Sequence, residues 1–162
     1  MNKEFVSGGP DGGQLSFEEY LALYGSLTYR NKGVSMMPLL KQDRDLFTLV
    51  PKGQERCKNN DVVLYKNRAG SYVLHRIVKV LPDAYIIRGD NTYRDEFYKD
   101  QDIIGVMTSF VHNGKECTVD DTGYKAYVRL VRISYPLRWI FAKARRLAAS
   151  LYHKLSKGHE ND

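Results

Sequence analysis

Ser71-Tyr72-Val73-Leu74-His75-Arg76-Ile77-Val78-Lys79-Val80-Leu81 is the stretch whose reading decides the fold. It is rich in β-branched and aromatic residues, which suit a pleated, half-buried surface. Alternation places Val73, His75 and Ile77 on one face and Leu74, Arg76 and Val78 on the other. Turn signals bracket it: Asn67-Arg68-Ala69-Gly70 before and Leu81-Pro82-Asp83 after. Runs of the same character extend outward on both sides. They are Asp45 to Val50, Asp61 to Lys66, Ala84 to Arg88, Asp102 to Val111 and Lys115 to Val119. Pro51-Lys52-Gly53 and His112-Asn113-Gly114 supply further turns, and Asn113-Gly114 between two apolar runs is a hairpin signal. The connections are short and hold no helix. The expected fold class is therefore mainly β, with antiparallel sheets.

The flanks read differently. Residues 1–14 are polar and glycine-rich, a flexible leader without the apolar core of a signal peptide. Ser16 can cap a helix, with Glu19 completing a capping box. Phe17, Tyr20, Leu21, Tyr24 and Leu27 then recur at helical spacing, which predicts a short amphipathic helix over 17–29, ended by Asn31-Lys32-Gly33. Asp120-Asp121-Thr122-Gly123 closes the β body. Tyr124 to Leu155 reads as helix, broken or bent at Pro136, with Ser156 to Asp162 frayed. The expected organisation is a leader at 1–14, a β-domain at 15–123 and a basic amphipathic helical tail at 124–162.

Composition narrows the class. With 162 residues and ordinary apolar and charged fractions, the chain suits one folded domain with an appendage. No run is long and apolar enough for a membrane span. Cys57 and Cys117 have no metal-ligand spacing and read as free thiols of a reducing, cytoplasmic compartment; no metal is expected. The net charge of +6 is unevenly held. Residues 1–124 carry 16 Lys/Arg against 17 Asp/Glu, and residues 125–162 carry 9 against 2. A partner chosen by charge is thus a partner of the tail.

Three short contexts carry reactive groups: Gly33-Val34-Ser35-Met36-Met37-Pro38, the strand around His75, and Gly89-Asp90-Asn91 with Asp95 beyond it. A serine hydroxyl becomes a nucleophile when a neighbouring base takes its proton and a third group orients the base. Histidine suits the base role near neutral pH. Gly33 permits a tight backbone approach and Pro38 stiffens the exit, so Ser35 could present both its hydroxyl and its own N–H to a carbonyl. Taken singly, each context has a plain structural reading: a loop serine, a hydrogen-bonded strand histidine, an ordinary turn.

Taken together, Gly-x-Ser-Met-x-Pro, the Asp61-Val62-Val63 strand, Leu74-His75-Arg76-Ile77-Val78, Tyr85-x-Ile87-x-Gly89-Asp90-Asn91 and Asp102-Ile103-Ile104-Gly105-Val106 resemble the signal peptidase and LexA-like serine peptidases. The likeness runs from residue 33 to about 106 and is nearest to the branch whose base is histidine. It implies that family's antiparallel β-fold and acyl transfer at a peptide bond, with no cofactor. It also implies Ser35 as nucleophile, His75 as base, and Asp95 or Asp90 as the orienting acid, with Asp95 favoured. Gly33, Met36 and Pro38 would border the substrate. The implied partner is a leader or signal peptide of a precursor, cut after small residues. The family's apolar anchor before the serine is absent here, since Phe17 to Tyr29 contains Glu18 and Glu19.

The tail offers a substitute. Arg138, Lys143, Arg145 and Arg146 are interleaved with Trp139 and Phe141, a pattern that suits an interfacial helix on anionic lipid. Bulky apolar residues add little to phosphate binding, so nucleic acid is the weaker partner. The expected location is cytoplasmic, with the tail available to the inner membrane face. Two other readings compete with the peptidase: a non-catalytic β-module with a partner-binding tail, and a self-cleaving regulator. For the latter Ala69-Gly70 is the small-residue dipeptide, although it lies in an expected turn.

Overall fold

A computed structural model describes residues 6–7 and 14–158, and side chains from residue 14 to 149 except Arg146. Most of the expected leader, residues 1–5 and 8–13, lies outside the described residues, as do 159–162. The chain divides into a body, residues 1–125, and a helical unit, residues 126–162.

Within the expected leader, β1 (Val6–Ser7) pairs antiparallel with β2 (Gln14–Leu15). Helix α1 (Phe17–Tyr24) starts where the capping box predicts: the Ser16 hydroxyl accepts from the Glu19 N–H, and the Glu19 carboxylate accepts from the Ser16 N–H. It ends five residues earlier than expected. Gly25 takes the left-handed conformation at φ 73° and caps the helix, and Leu27–Arg30 forms strand β3. The helical spacing of Leu27 is coincidental, because the β-rich Leu27-Thr28-Tyr29 segment pairs with β4 (Leu46–Pro51).

The main sheet has eight strands, and every pairing in it is antiparallel. The remaining members are β5 (Val62–Lys66), β6 (Tyr72–Val80), β7 (Tyr85–Arg88), β8 (Glu96–Tyr98), β9 (Ile103–His112) and β10 (Lys115–Thr118). The order is β3-β4-β9-β5-β6-β7-β8, with β10 also on β9. Six of these strands fall within a residue or two of the expected runs. β3 and the three-residue β8 were not expected.

Register fixes which side chains share a face. Val63 faces His75 across β5 and β6, Ile77 faces Ile87, and Ile87 faces Glu96. Period two then puts Val63, Tyr65, His75, Ile77, Ile87 and Glu96 on one face. That face holds the core of Cys57, Val63, Tyr65, Ile77, Tyr85, Ile87 and Ile103. Burial pushes the Cys57 thiol up to about 11, so it stays a thiol. The opposite face carries Leu64, Leu74, Arg76 and Arg88.

Helix α2 (Thr122–Gly158) runs through Pro136 and is not broken there. Proline has no N–H for the Arg132 carbonyl. Nearby, Arg138 Nη2 (3.1 Å) and Ser134 Oγ (3.3 Å) both donate to the Val131 carbonyl. Among the described residues no helix is long and apolar enough to cross a membrane.

Candidate active site

The Ser35 loop is held from several directions. Asn31 Nδ2 donates to the carbonyls of Gly33 (2.7 Å) and Leu40 (3.1 Å), bridging the two ends of the loop. Asn91 grips its middle: the backbone N–H donates to the Ser35 carbonyl at 2.7 Å and Nδ2 to the Val34 carbonyl at 3.2 Å. His112 Nδ1 lies 2.9 Å from both the Leu39 carbonyl and an Asp45 carboxylate oxygen. Asp45 is buried, yet hydrogen bonds from Arg44 and from the Lys41 and Asn113 N–H groups outweigh its desolvation and hold its carboxyl well below the usual range. Met36 turns into the core, and the Met37–Pro38 bond is cis.

Gly89 is where loop and histidine meet. A Cβ at Gly89 would lie 2.7 Å from the Ser35 carbonyl oxygen and 2.9 Å from His75 Nε2. Only a glycine admits both neighbours without displacing one. The close approach expected at Gly33 occurs here instead, because a Cβ at Gly33 would meet Ser35 Oγ at an ordinary 3.9 Å. Among the described residues, neither the Ser35 hydroxyl nor its backbone N–H makes a hydrogen bond.

His75 is 7% exposed. Its Nδ1 lies 2.9 Å from the Tyr65 hydroxyl, which donates to the Glu96 carboxylate. Glu96 Oε2 is itself 3.5 Å from Nδ1. A hydroxyl has one proton, and here it goes to Glu96, so Nδ1 must carry the hydrogen that points at the Tyr65 oxygen. Nε2 is left as the bare nitrogen, on the Gly89 and Ser35 side. Burial lowers the His75 pKa below 6.5, against the opposing pull of Glu96 and then Asp90. The ring is therefore mostly neutral at neutral pH.

The two aspartates expected behind this ring are placed elsewhere. Asp90 takes the Arg76 guanidinium, with Nε–Oδ1 2.8 Å and Nη2–Oδ2 2.6 Å. Arg76 Nη1 also donates to the Asn60 carbonyl and the Tyr124 hydroxyl. Asp95 accepts from Arg88 at 2.6 Å. Parity is the reason. Arg76, next to His75 in the chain, points from the opposite face, as does Arg88, and each draws its acid there. Glu96, one residue past Asp95, is the acid on the histidine's face. Asp90 still contributes by fixing the turn that carries Gly89 and Asn91.

A groove of about 200 Å³ runs beside Ser35. Gly33, Ser35, Phe17, Tyr72, Leu64 and Leu74 are among the residues that line it. Phe17 stacks on Tyr72 at 4.4 Å. β7 covers β6 only from Arg76 onward, so among the described strands Tyr72 to His75 pair on the β5 side alone. The Asn67 N–H to Ser71 carbonyl and Ile77 N–H to Asp61 carbonyl bonds set the ladder's alternation. They direct the N–H and C=O of Leu74 to the open edge.

Ala69 and Gly70 sit at the tip of the β5–β6 turn, where the Asn67 side chain accepts from the Ala69 and Ser71 N–H groups. Among the described residues no group of three or more His, Cys, Asp or Glu could hold a metal ion. No protein-family model matches this chain, and no curated protein matches it.

Proposed function

We propose that this protein is a Ser-His endopeptidase of the signal-peptidase-like type and fold, cutting a leader or signal peptide from a precursor. The observation that carries the reading is His75: one nitrogen is held by Tyr65 and the other is bare beside the Ser35 loop. A precursor strand adds to the open edge at Leu74 by main-chain hydrogen bonds. The groove, smaller than the roughly 300–1,000 Å³ of drug-sized sites, suits the short side chains before the cut. Ser35 Oγ attacks the scissile carbonyl as Nε2 takes its proton. The Ser35 N–H faces the developing oxyanion. The C–N bond breaks, Nε2–H protonates the departing amine, and water repeats the sequence to free Ser35.

The test is labelling by a fluorophosphonate, which needs only an activated serine. We expect one adduct at Ser35, lost in Ser35→Ala and His75→Ala. An unlabelled wild type, or full peptide hydrolysis by Ser35→Ala, overturns the reading.

The location belongs to the same reading. The enzyme works in the cytoplasm on the inner membrane face, held by α2. Residues 122–158 carry nine Lys/Arg and no Asp/Glu. Leu130, Ile133, Leu137, Ile140, Phe141 and Leu147 are exposed, at spacings that align them in one stripe. Trp139 falls off that stripe, with Lys143 Nζ 5.0 Å from its ring centre. Arg138 and Arg145 flank the stripe; the Arg146 side chain lies outside those described. Co-sedimentation with phosphatidylserine vesicles, lost in neutral vesicles and in Leu137→Glu/Ile140→Glu, is the expected result. Equal sedimentation with both vesicle types, or none with either, rejects it.

A further inference from the structure

We infer that Tyr65 and Glu96, in series, set the His75 ring for proton abstraction, filling the place that an aspartate holds in a direct triad. The inference rests on the peptidase reading above and adds two positioning residues to it. Its basis is the direction of each hydrogen bond. Glu96 accepts, the Tyr65 hydroxyl has one proton to give, and His75 Nδ1 is left to donate to the Tyr65 oxygen at 2.9 Å. The tautomer follows from the chain of donors, and that tautomer is the one a base facing Ser35 requires.

The tyrosine is fully buried on β5, diagonal to His75, and the Tyr98 ring packs against it with centres 4.2 Å apart. Its position does not depend on a mobile side chain. Burial and the neighbouring Glu96 both push the Tyr65 phenol upward, so it keeps its proton throughout. No proton travels along the series. When Nε2 takes the serine proton, the positive charge formed on the ring lies 3.5 Å from the Glu96 carboxylate, which stabilises it. Among the described residues, the groups acting on the ring that can carry charge are Tyr65 from β5, Glu96 from β8 and Asp90 from the turn after β7. Asp90 is engaged by Arg76. Glu96, with 30% of its side chain exposed, is the acid on the ring's own face.

The experiment is nitrogen NMR of the His75 ring in the full chain, on wild type, Tyr65→Phe and Glu96→Gln, with peptide hydrolysis measured on the same samples. The wild type should show Nδ1 protonated and Nε2 bare in the neutral ring. Tyr65→Phe removes the oxygen that Nδ1–H meets and leaves only the Glu96 carboxylate at 3.5 Å, so the Nδ1 signal should shift and kcat should fall about 10-fold or more, with KM little changed. Glu96→Gln can still accept from Tyr65 but carries no charge. It should keep the tautomer while the ring titrates lower by about one pH unit.

A wild-type ring protonated on Nε2 overturns the inference. So do ring signals and titration that are the same in all three proteins. Should Tyr65→Phe not fold, Glu96→Gln alone decides, because that side chain is partly exposed. Failure of the peptidase reading looks different: the ring signals respond as described but Ser35 takes no fluorophosphonate. That result keeps the hydrogen-bond series and removes its role in proton abstraction.

Discussion

His75 and Arg76 are neighbours on one strand, and each is buried among polar partners, yet the two surroundings are built to opposite ends. Arg76 is closed. Asp90 takes two of its nitrogens in parallel, and Asn60 and Tyr124 take the third. His75 is held on one nitrogen only, through Tyr65 and Glu96, and its other nitrogen looks across Gly89 at the serine loop. A buried charge with a missing partner is expensive, so the Arg76 side bears on stability. A buried neutral base with one nitrogen unengaged does little for stability and much for chemistry. The two faces of β6 thus separate a closed ion pair from a half-engaged imidazole.

That separation can be broken by experiment. The largest effect is expected at the chemistry. Ser35→Ala and His75→Ala should each lower kcat by about 10⁴-fold or more, with thermal melting close to wild type. Loss of melting with either would place His75 in the same structural class as Arg76. The reverse pattern is expected for Asp90→Ala, which strands a buried guanidinium. Denaturant titration should show a loss of about 3–5 kcal/mol. A change below about 1 kcal/mol would mean that the ion pair is not the brace described.

Gly89→Ala lies on the boundary between the faces. The new methyl must displace the Ser35 carbonyl or the imidazole, and a shift of that kind costs about 100-fold in kcat. Unchanged turnover would show that the loop and ring tolerate separation. The smallest effect is on pH. Burial lowers the His75 pKa from 6.5, so the base form persists on the acid side. The acid limb of kcat/KM should have its midpoint below 6.5. The same shift makes native His75 take its proton later than unfolded His75 does. This group therefore costs stability as pH falls below about 6.5. A midpoint above 6.5 would mean that Glu96 outweighs burial.

Much of this was legible in the residues. The β-runs, the antiparallel class and the capping box at Ser16 follow from alternation and turn chemistry, whereas the grouping of Ser35 with His75 is what the family resemblance implies. Tyr65 was within reach as well: the turn at residues 67–71 fixes the β5–β6 register, and that register puts Tyr65 diagonal to His75. Glu96 was not. Its face depends on a register shift between Ile77 and Lys79 and on a three-residue strand, β8, too short to announce itself in sequence. Parity then changes sides, and Asp95, the natural choice by position in the chain, meets Arg88 instead. The early end of α1 was missed because Leu27 satisfies helical and strand periodicity alike. The braces at Asn31, Asp45 and His112 lie outside any reactive context and depend on long-range contacts that sequence spacing does not encode.

Strand β9 has a consequence for how the molecule opens. It is flanked by β4 along one edge and by β5 and then β10 along the other, so its amides are doubly enclosed. They should be the last to exchange with deuterium. β8 lies at the far end of the same sheet and, among the described strands, pairs with β7 alone. An excursion that peels off β8 takes Glu96 from Tyr65 while β9 and its neighbours stay closed. Exchange at Glu96–Tyr98 therefore reports how often His75 and Tyr65 lose the Glu96 carboxylate, and a ligand that slows that exchange would hold the three side chains together without touching Ser35.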